Sequence, residues 1–569
     1  MSPHHPISTT AKPAAGSGAA RWLKRICILA LLFGAMLIGL LQIRAPQPAG
    51  PDAPEDTFSA SRAIEKLNVI AKEPHPVGSP AHDQVRNYLL AELEGLGLKP
   101  EVQRVEVTQG LESGLTSGPD RPNLQTDVQT ITIENIMARV PGTDNSKAVM
   151  LAAHYDSVPE GPGAADDGSA IAAMLETVRA LQASGPLKND LLLLLTDGEE
   201  LGMLGAKAFM KEHPSAKDVG MVLNFEARGN KGPSFMFETS EQNGWMIQEF
   251  MKAAPQPVAY SLIYNVYKLM PNDTDLTEFR EGGLPGLNFA FGMGLNAYHE
   301  EIDTPGNLDR SSIQHQGNYM LSLTKHFGQL DLNDVKQENR VYFNVLGWSM
   351  VSYPESWAFG FMLIGVLLFA LTVWNGLYRR RLSLKGLTGG FLVSLLSLAV
   401  VFGAVTLVWN ILRANVPHPY YVSIVKDPGV STYYFIGLLL FMLLITVPLI
   451  RWCSRYVKAE NLWVGALLLW VLLCAATTLY LPGGSYLFTW PLLISLIGLN
   501  ASYLVGEGAR SWVSTLFALP GILLFTPILY LVFVLMTLDL AGALITFAAL
   551  SSTLIYPLFC RMPRDHGHR

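Results

Sequence analysis

Residues 154–170, HYDSVPEGPGAADDGSA, place His154 close in sequence to Asp156, Asp166 and Asp167. Further on, TDGEELG (196–202) supplies Glu199 and Glu200, NFEARG (224–229) supplies Glu226, and YHEEIDTP (298–305) supplies His299. Carboxylates and imidazoles in such numbers are the donor types of a metal-dependent hydrolase. A two-metal hydrolase needs hard donors converging from several strand ends, with one carboxylate shared by both ions. It also needs a free carboxylate to take a proton from water.

Each residue alone has a plainer reading. A strand-end histidine is often structural. Asp166 and Asp167 sit in a glycine-rich turn ahead of a helical pattern, where either one caps a helix. A Glu-Glu pair is often solvated surface. Glu226 has a cation two residues away, Arg228, with which to pair. What favours chemistry is the joint arrangement: each group follows an apolar strand-like run, at the C-terminal end where open α/β sheets build their sites. Asp156 lies two residues after His154, so a continuing strand puts both on one face and lets the carboxylate orient the imidazole.

The elements needed to hold these groups are legible. KAVMLAAHYDS, DLLLLLTDGEE, VGMVLNFEARG and LPGLNFAFG read as strands. SAIAAMLETVRALQAS and AHDQVRNYLLAELEGLG between and before them read as helices. Alternating strands and helices predict an α/β sheet domain. The five-leucine run 191–195 predicts a central strand covered on both faces.

The whole chain has 569 residues, 50% of them hydrophobic and 15% charged, with a formal net charge of −6. That composition predicts a membrane protein with a soluble part and excludes a nucleic-acid-binding tract. Residues 1–20 are rich in Pro, Ala, Ser and Gly and read as disordered. An apolar run after RWLKR gives a membrane anchor over 21–44, read as uncleaved rather than as a signal peptide. A linker over 45–57 leads to the soluble domain, 58–333. A second linker, 334–356, leads to a membrane region over 357–560 and a short tail, 561–569.

Seven spans are expected in that region, at about 357–377, 387–412, 433–450, 462–481, 485–505, 512–536 and 539–559, making eight with the anchor. RWLKR, YRRRLSLK, RWCSRYVK, GEGARS and CRMPRDHGHR then all fall on one side, the cytoplasmic side by the positive-inside rule. The soluble domain falls on the other. The span interiors carry almost no ionisable side chains, which argues against ion-coupled transport. Cys27, Cys453, Cys474 and Cys560 all lie in or beside apolar segments, so the soluble domain contains no disulfide.

Six stretches, HPVGSP (75–80), HYDS (154–157), GAADDGSA (163–170), TDGEELGMLGA (196–206), NFEARG (224–229) and YHEEIDTPGNLD (298–309), occur in an order that resembles the co-catalytic zinc aminopeptidases. That family also includes glutamate carboxypeptidases, glutaminyl cyclases and a catalytically silent receptor domain. The layout of anchor, catalytic domain and multi-span region resembles the family's membrane-bound branch, the vacuolar and endoplasmic-reticulum metallopeptidases. The resemblance implies an α/β, three-layer domain with a mixed central sheet, joined to an α-helical multi-span membrane region.

The resemblance also implies two zinc ions, one held by Asp166, Glu200 and His299 and the other by His154, Asp166 and Glu226, with Asp166 bridging. Glu199 is then the general base, and Asp156 supports His154. Glu226 departs from the aspartate of many soluble members, yet it remains a hard oxygen donor. In MPNDTDLTEF (270–279), Asp273 and Asp275 are candidates for binding a substrate's α-ammonium or for capping a helix. Tyr264 is a candidate oxyanion donor, in a stretch that contains two tyrosines. The expected function is a membrane-anchored aminopeptidase acting on peptides at a lipid bilayer, with no nucleic acid involved. The alternatives are a single-zinc, glutaminyl cyclase-like transferase and a non-enzymatic receptor or scaffold.

Overall fold

The computed structural model describes residues 16–110, 128–144, 147–347 and 349–560. Residues 1–15 and the tail 561–569 lie outside the described residues.

Helix α1 (Gly16–Leu41) begins before the expected anchor, so residues 16–20 are helical rather than irregular. The segment 45–57 is pinned to the soluble domain. Ala49 donates its N–H to Gln314 at 2.8 Å, and the Arg62 guanidinium donates to the carbonyls of Pro51, Ala53 and Thr57.

Seven strands form the sheet: β1 (Glu101–Gly110), β2 (Val128–Val140), β3 (Ala148–His154), β4 (Asp190–Thr196), β5 (Val219–Ala227), β6 (Phe235–Thr239) and β7 (Gly286–Phe291). Their order is β1-β2-β4-β3-β5-β7-β6. The central four, β4, β3, β5 and β7, are parallel, and the flanking strands pair antiparallel. The sheet is therefore mixed, as expected. From β3 the chain pairs β4 on one side and β5 on the other, so the strand order reverses there. Such a reversal opens a crevice at the C-terminal strand ends.

Alternation along the central strands builds three layers. Val149, Leu151 and Ala153 of β3, with Leu191, Leu193 and Leu195 of β4, face one core. Helices α2 (Ala60–Ile70), α3 (Pro80–Gly95) and α4 (Ser169–Gln182) contribute to that core. Ala148, Met150, Ala152, Leu192 and Leu194 face the opposite core, where Phe209 of α5 (Leu204–Glu212) packs. Helices α6 (Gly244–Ala253), α7 (Ser261–Tyr267), α8 (Asp275–Glu281) and α9 (Arg310–Phe327) complete the domain. Helix α9 joins the first core and α8 the second.

The segment expected as a linker, 334–356, instead forms a hairpin of β8 (Arg340–Val345) and β9 (Ser349–Pro354). Its alternation serves two cores: Tyr342 and Met350 face the soluble domain, while Val341, Phe343 and Tyr353 face the membrane helices.

The membrane region comprises α10 (Trp357–Tyr378), α11 (Leu384–Asn415), α12 (His418–Lys426), α13 (Pro428–Cys453), α14 (Ala459–Tyr480), α15 (Tyr486–Ser502), α16 (Glu507–Met536), α17 (Ala541–Ser552) and α18 (Tyr556–Phe559). With α1 included, seven helical stretches among the described residues are long and apolar enough to cross a membrane. Helix α15, one of the eight expected spans, is a shorter apolar helix than these. Helices α11 and α14 approach closely at Gly390 and Gly465. A Cβ on Gly465 would lie 2.3 Å from the Gly390 carbonyl carbon. Small residues at such crossings let helix backbones pack closely in a bilayer.

Candidate metal centre

The expected donors meet at the C-terminal ends of β3, β4, β5 and β7. His154 is the last residue of β3, and Glu226 lies near the end of β5. Glu199 and Glu200 follow β4 in a turn. Asp166 and Asp167 occupy the bend before α4. His299 follows β7 through a short loop and has φ of 57°. That is the left-handed region, sparsely used by residues other than glycine.

Asp166 lies between the two imidazoles. Its Oδ1 is 3.4 Å from His154 Nε2, and its Oδ2 is 3.2 Å from His299 Nε2. Glu200 Oε2 is 3.1 Å from His299 Nε2, and Glu226 Oε2 is 3.7 Å from His154 Nε2. Glu226 also accepts from Asn224 Nδ2 at 3.0 Å. It thus pairs with His154 and Asn224, and Arg228 has no ion-pair contact with it. The Glu199 carboxylate has no ion-pair partner among the described residues.

Asp156 supports the site in two ways. Its backbone carbonyl is 3.0 Å, and its Oδ1 3.4 Å, from His154 Nδ1. Its carboxylate also accepts the backbone N–H groups of Glu199 at 3.2 Å and Glu200 at 3.3 Å. Sequence reasoning anticipated the first contact and missed the second. It also missed Asp303, whose carboxylate accepts the N–H groups of Ala165 at 2.8 Å and Asp166 at 3.3 Å. The DTP sequence around Asp303 gave no sign of a partner so distant in the chain.

Neither Asp166 nor Asp167 caps α4, whose first turn has no side-chain cap bond. Asp167 is buried, and neither of its oxygens has a hydrogen-bond partner. Its donor atoms, with those of His154 and Glu226, lie within 4.8 Å of one another, as do those of His154, Asp166 and Glu200. Asp166, by contrast, contacts both histidines directly.

Electrostatics follow from this crowding. Burial pushes Glu226 up to about 8, and the nearby Asp166 adds to the rise. Burial likewise drives Asp167 and Glu199 well above the usual carboxylate range. For His154 burial works against the charge, but Asp156 and Asp166 outweigh it and hold the imidazole well above its ordinary value. His299 reaches about 10 because Asp166 and Glu200 overcome its burial. Burial opposes ionisation of Asp166, yet the two histidines hold it below its ordinary value.

Buried acidic groups around two imidazoles, with Glu200 Oε1 and both Asp167 oxygens unpartnered, suit a divalent cation. The donor set of carboxylate oxygens and imidazole nitrogens is the one zinc accepts.

The rim departs from expectation. Asp275 is fully buried and receives the Thr196 hydroxyl, so it is a support beneath the site rather than an open carboxylate on the lip. Asp273 is exposed and receives the Thr277 hydroxyl at 3.2 Å. It lines a cavity of about 260 Å³ with Glu238, Glu241, Tyr267, Lys268 and Arg280. The Tyr264 hydroxyl is committed to Glu241 at 3.0 Å. Tyr267, one turn on, has a buried hydroxyl with no partner. Burial raises its pKa first, and Glu238, Glu226, Asp273 and Glu199 raise it further.

Residues 135–324 match Peptidase family M28. Among curated proteins, the chain is 28% identical to endoplasmic reticulum metallopeptidase 1 of Homo sapiens over 335 residues, or 56% of this chain and 36% of that protein. It is 28% identical to the vacuolar membrane protease of Yarrowia lipolytica over 337 residues, or 57% of this chain and 34% of that protein. The matched stretch thus spans about a third of the length of either relative. Among solved structures, an aminopeptidase from Aneurinibacillus sp. strain AM-1 is 14% identical, covering 50% of this chain and 98% of that one, with a TM-score of 0.39. A glutaminyl cyclase from Porphyromonas gingivalis is 17% identical, covering 46% and 96%, with a TM-score of 0.37. The resemblance carried by the six motifs holds: over residues 135–324 the chain is similar to Peptidase family M28, and its curated relatives include an endoplasmic reticulum metallopeptidase and a vacuolar membrane protease.

Proposed function

We propose that the chain is a membrane-anchored, di-zinc aminopeptidase. The observation that carries this reading is the Asp166 carboxylate, with one oxygen turned to His154 and the other to His299. His154, Asp166 and Glu226 would hold one ion, and His299, Asp166 and Glu200 the other. Zinc bound there supplies the Lewis acid that polarises a peptide carbonyl and acidifies a water.

The remaining roles belong to the chain's own groups. Glu199, unpaired beside the donors, accepts a proton from the attacking water and passes it to the departing amine. Asp156 fixes the turn that carries Glu199 and Glu200, and Asp303 fixes the backbone of Asp166. The Tyr267 hydroxyl, rather than that of Tyr264, donates to the developing oxyanion. Asp273, exposed and lining a cavity shared with Tyr267, offers its carboxylate to the substrate's α-ammonium. With α15 counted as a crossing, the peptidase domain lies outside the cytoplasm and both termini lie inside it.

Zinc content and peptide hydrolysis, measured on wild type, Asp166→Asn and Glu199→Gln, test the reading. We expect two zinc ions in wild type and in Glu199→Gln, hydrolysis of free-amine peptides by wild type alone, and loss of both zinc and turnover in Asp166→Asn. One zinc with cyclisation of N-terminal glutamine favours the cyclase, and neither zinc nor turnover sinks both enzymatic readings.

A further inference from the structure

The N–H of Arg228 donates to Phe291 O at 3.0 Å, so the pairing of β5 with β7 continues one residue past the end of β5. Side chains two apart on a strand share a face. Asn224 and Glu226 demonstrate this by their mutual 3.0 Å hydrogen bond. Arg228 is next on that face, roughly 6 to 7 Å of backbone beyond the Glu226 donor and towards the open end of the crevice.

The Arg228 side chain is only partly exposed, and its Nε is buried without a hydrogen-bond partner. Among the described residues, no carboxylate forms an ion pair with it. The strand register thus sets Arg228 just beyond Glu226, at the edge of the metal centre. A partly buried guanidinium without an anion is poorly compensated, and its planar fork is suited to binding a carboxylate through two parallel hydrogen bonds.

Building on the peptidase reading, we infer that Arg228 receives the free α-carboxylate of the residue that follows the scissile bond. In a dipeptide that carboxylate is one residue beyond the amide under attack, whereas a longer peptide has a neutral amide at the same place. The site would then favour dipeptides, or other substrates in which the leaving residue is C-terminal, over longer chains. Among the acidic donors, an anionic substrate end needs such a cation.

The test compares kcat/KM for leucyl-leucine and leucyl-leucinamide on full-length, zinc-loaded protein. Wild type should prefer the free acid. Arg228→Met should lose that preference by roughly ten- to hundredfold, the scale of a charge-assisted bidentate contact. Arg228→Lys, which keeps the charge but not the fork, should fall between the two. Lys231→Met removes a nearby exposed cation and should leave the acid-to-amide ratio unchanged. Zinc content and melting temperature, measured on each variant, identify any that is misfolded, and Arg228→Lys then serves as the reporter. Equal turnover of acid and amide by wild type, or an unchanged ratio in the Arg228 variants, overturns the assignment of Arg228 alone. No turnover of either substrate overturns the peptidase reading and the inference with it.

Discussion

The Asp156 carboxylate accepts the backbone N–H of Glu199 at 3.2 Å, so one buried side chain ties the turn carrying the expected base to the strand that ends in His154. Asp156→Ala should loosen the imidazole and the Glu199-Glu200 turn together. We expect zinc affinity to fall roughly 10- to 100-fold, the usual cost of losing an outer support of a metal ligand. Titration against a chelating dye measures this. Asp156→Asn keeps one acceptor oxygen and should lose less.

Tyr264 and Tyr267 lie on one short helix, but only Tyr267 has an unpartnered hydroxyl. Tyr267→Phe should lower kcat by roughly 10²- to 10³-fold, as for other lost oxyanion donors, with little change in KM. Tyr264→Phe removes the bond to Glu241 and should cost about 1 kcal/mol of stability. Its kcat should stay within a few-fold of wild type. The reverse pattern in steady-state kinetics would restore Tyr264 to the oxyanion role.

His315, buried in α9, has its pKa pushed down from 6.5 to about 4 by desolvation. Its ring faces the Gln256 carbonyl at 3.1 Å and the Tyr319 ring at 4.4 Å, and no charged group contributes to the shift. Above pH 6.5 the imidazole is neutral folded or unfolded and contributes no pH dependence. As pH falls below 6.5 the unfolded chain takes a proton that the folded chain refuses. Stability therefore drains away down to about pH 4, by about 3 kcal/mol at ~1.4 kcal/mol per pKa unit. Melting curves between pH 7 and pH 4 should be shallower for His315→Gln than for wild type.

At the α11–α14 crossing, a Cβ on Gly390 would lie 2.1 Å from the Asn461 carbonyl oxygen. Gly465→Val should push the two helices apart and cost roughly 1 to 3 kcal/mol, in line with overpacked cores. A lowered melting temperature in detergent is the expected result. Gly403, with open space around it, should accept alanine with little change.

The convergence of the candidate donors was readable from sequence because metal chemistry admits few side-chain types and the sheet topology brings strand ends together. His154, Asp166, Glu200, Glu226 and His299 all sit at strand ends or in the loops that follow. Tyr267 was not readable, because two tyrosines three residues apart on a helix differ only in direction. Asp303 and the second contact of Asp156 were hidden because both bind backbone N–H groups, which carry no residue signature. Asp275 looked like a rim carboxylate until the fold buried it under Thr196. The hairpin 340–354 read as a linker because its alternation serves two different cores, so neither face looks polar.

Phe235, Phe237, Tyr260 and Ile263 of the peptidase domain share a single core with Trp463, Trp470, Tyr486 and Leu487 of the membrane helices. Ser261 Oγ reaches across to the Gly483 carbonyl at 2.6 Å. There is consequently no clean place to cut this protein. A fragment ending near residue 333 would expose a broad greasy scar where β6 and α7 lose their cover, and α7 carries Tyr267. During synthesis, β6 and α7 emerge long before α14 and α15, so this face of the α/β domain stays uncovered until the late helices pack on it. Packing of the late helices is therefore what closes this core, and a chain that stalls before it leaves β6 and α7 without their cover.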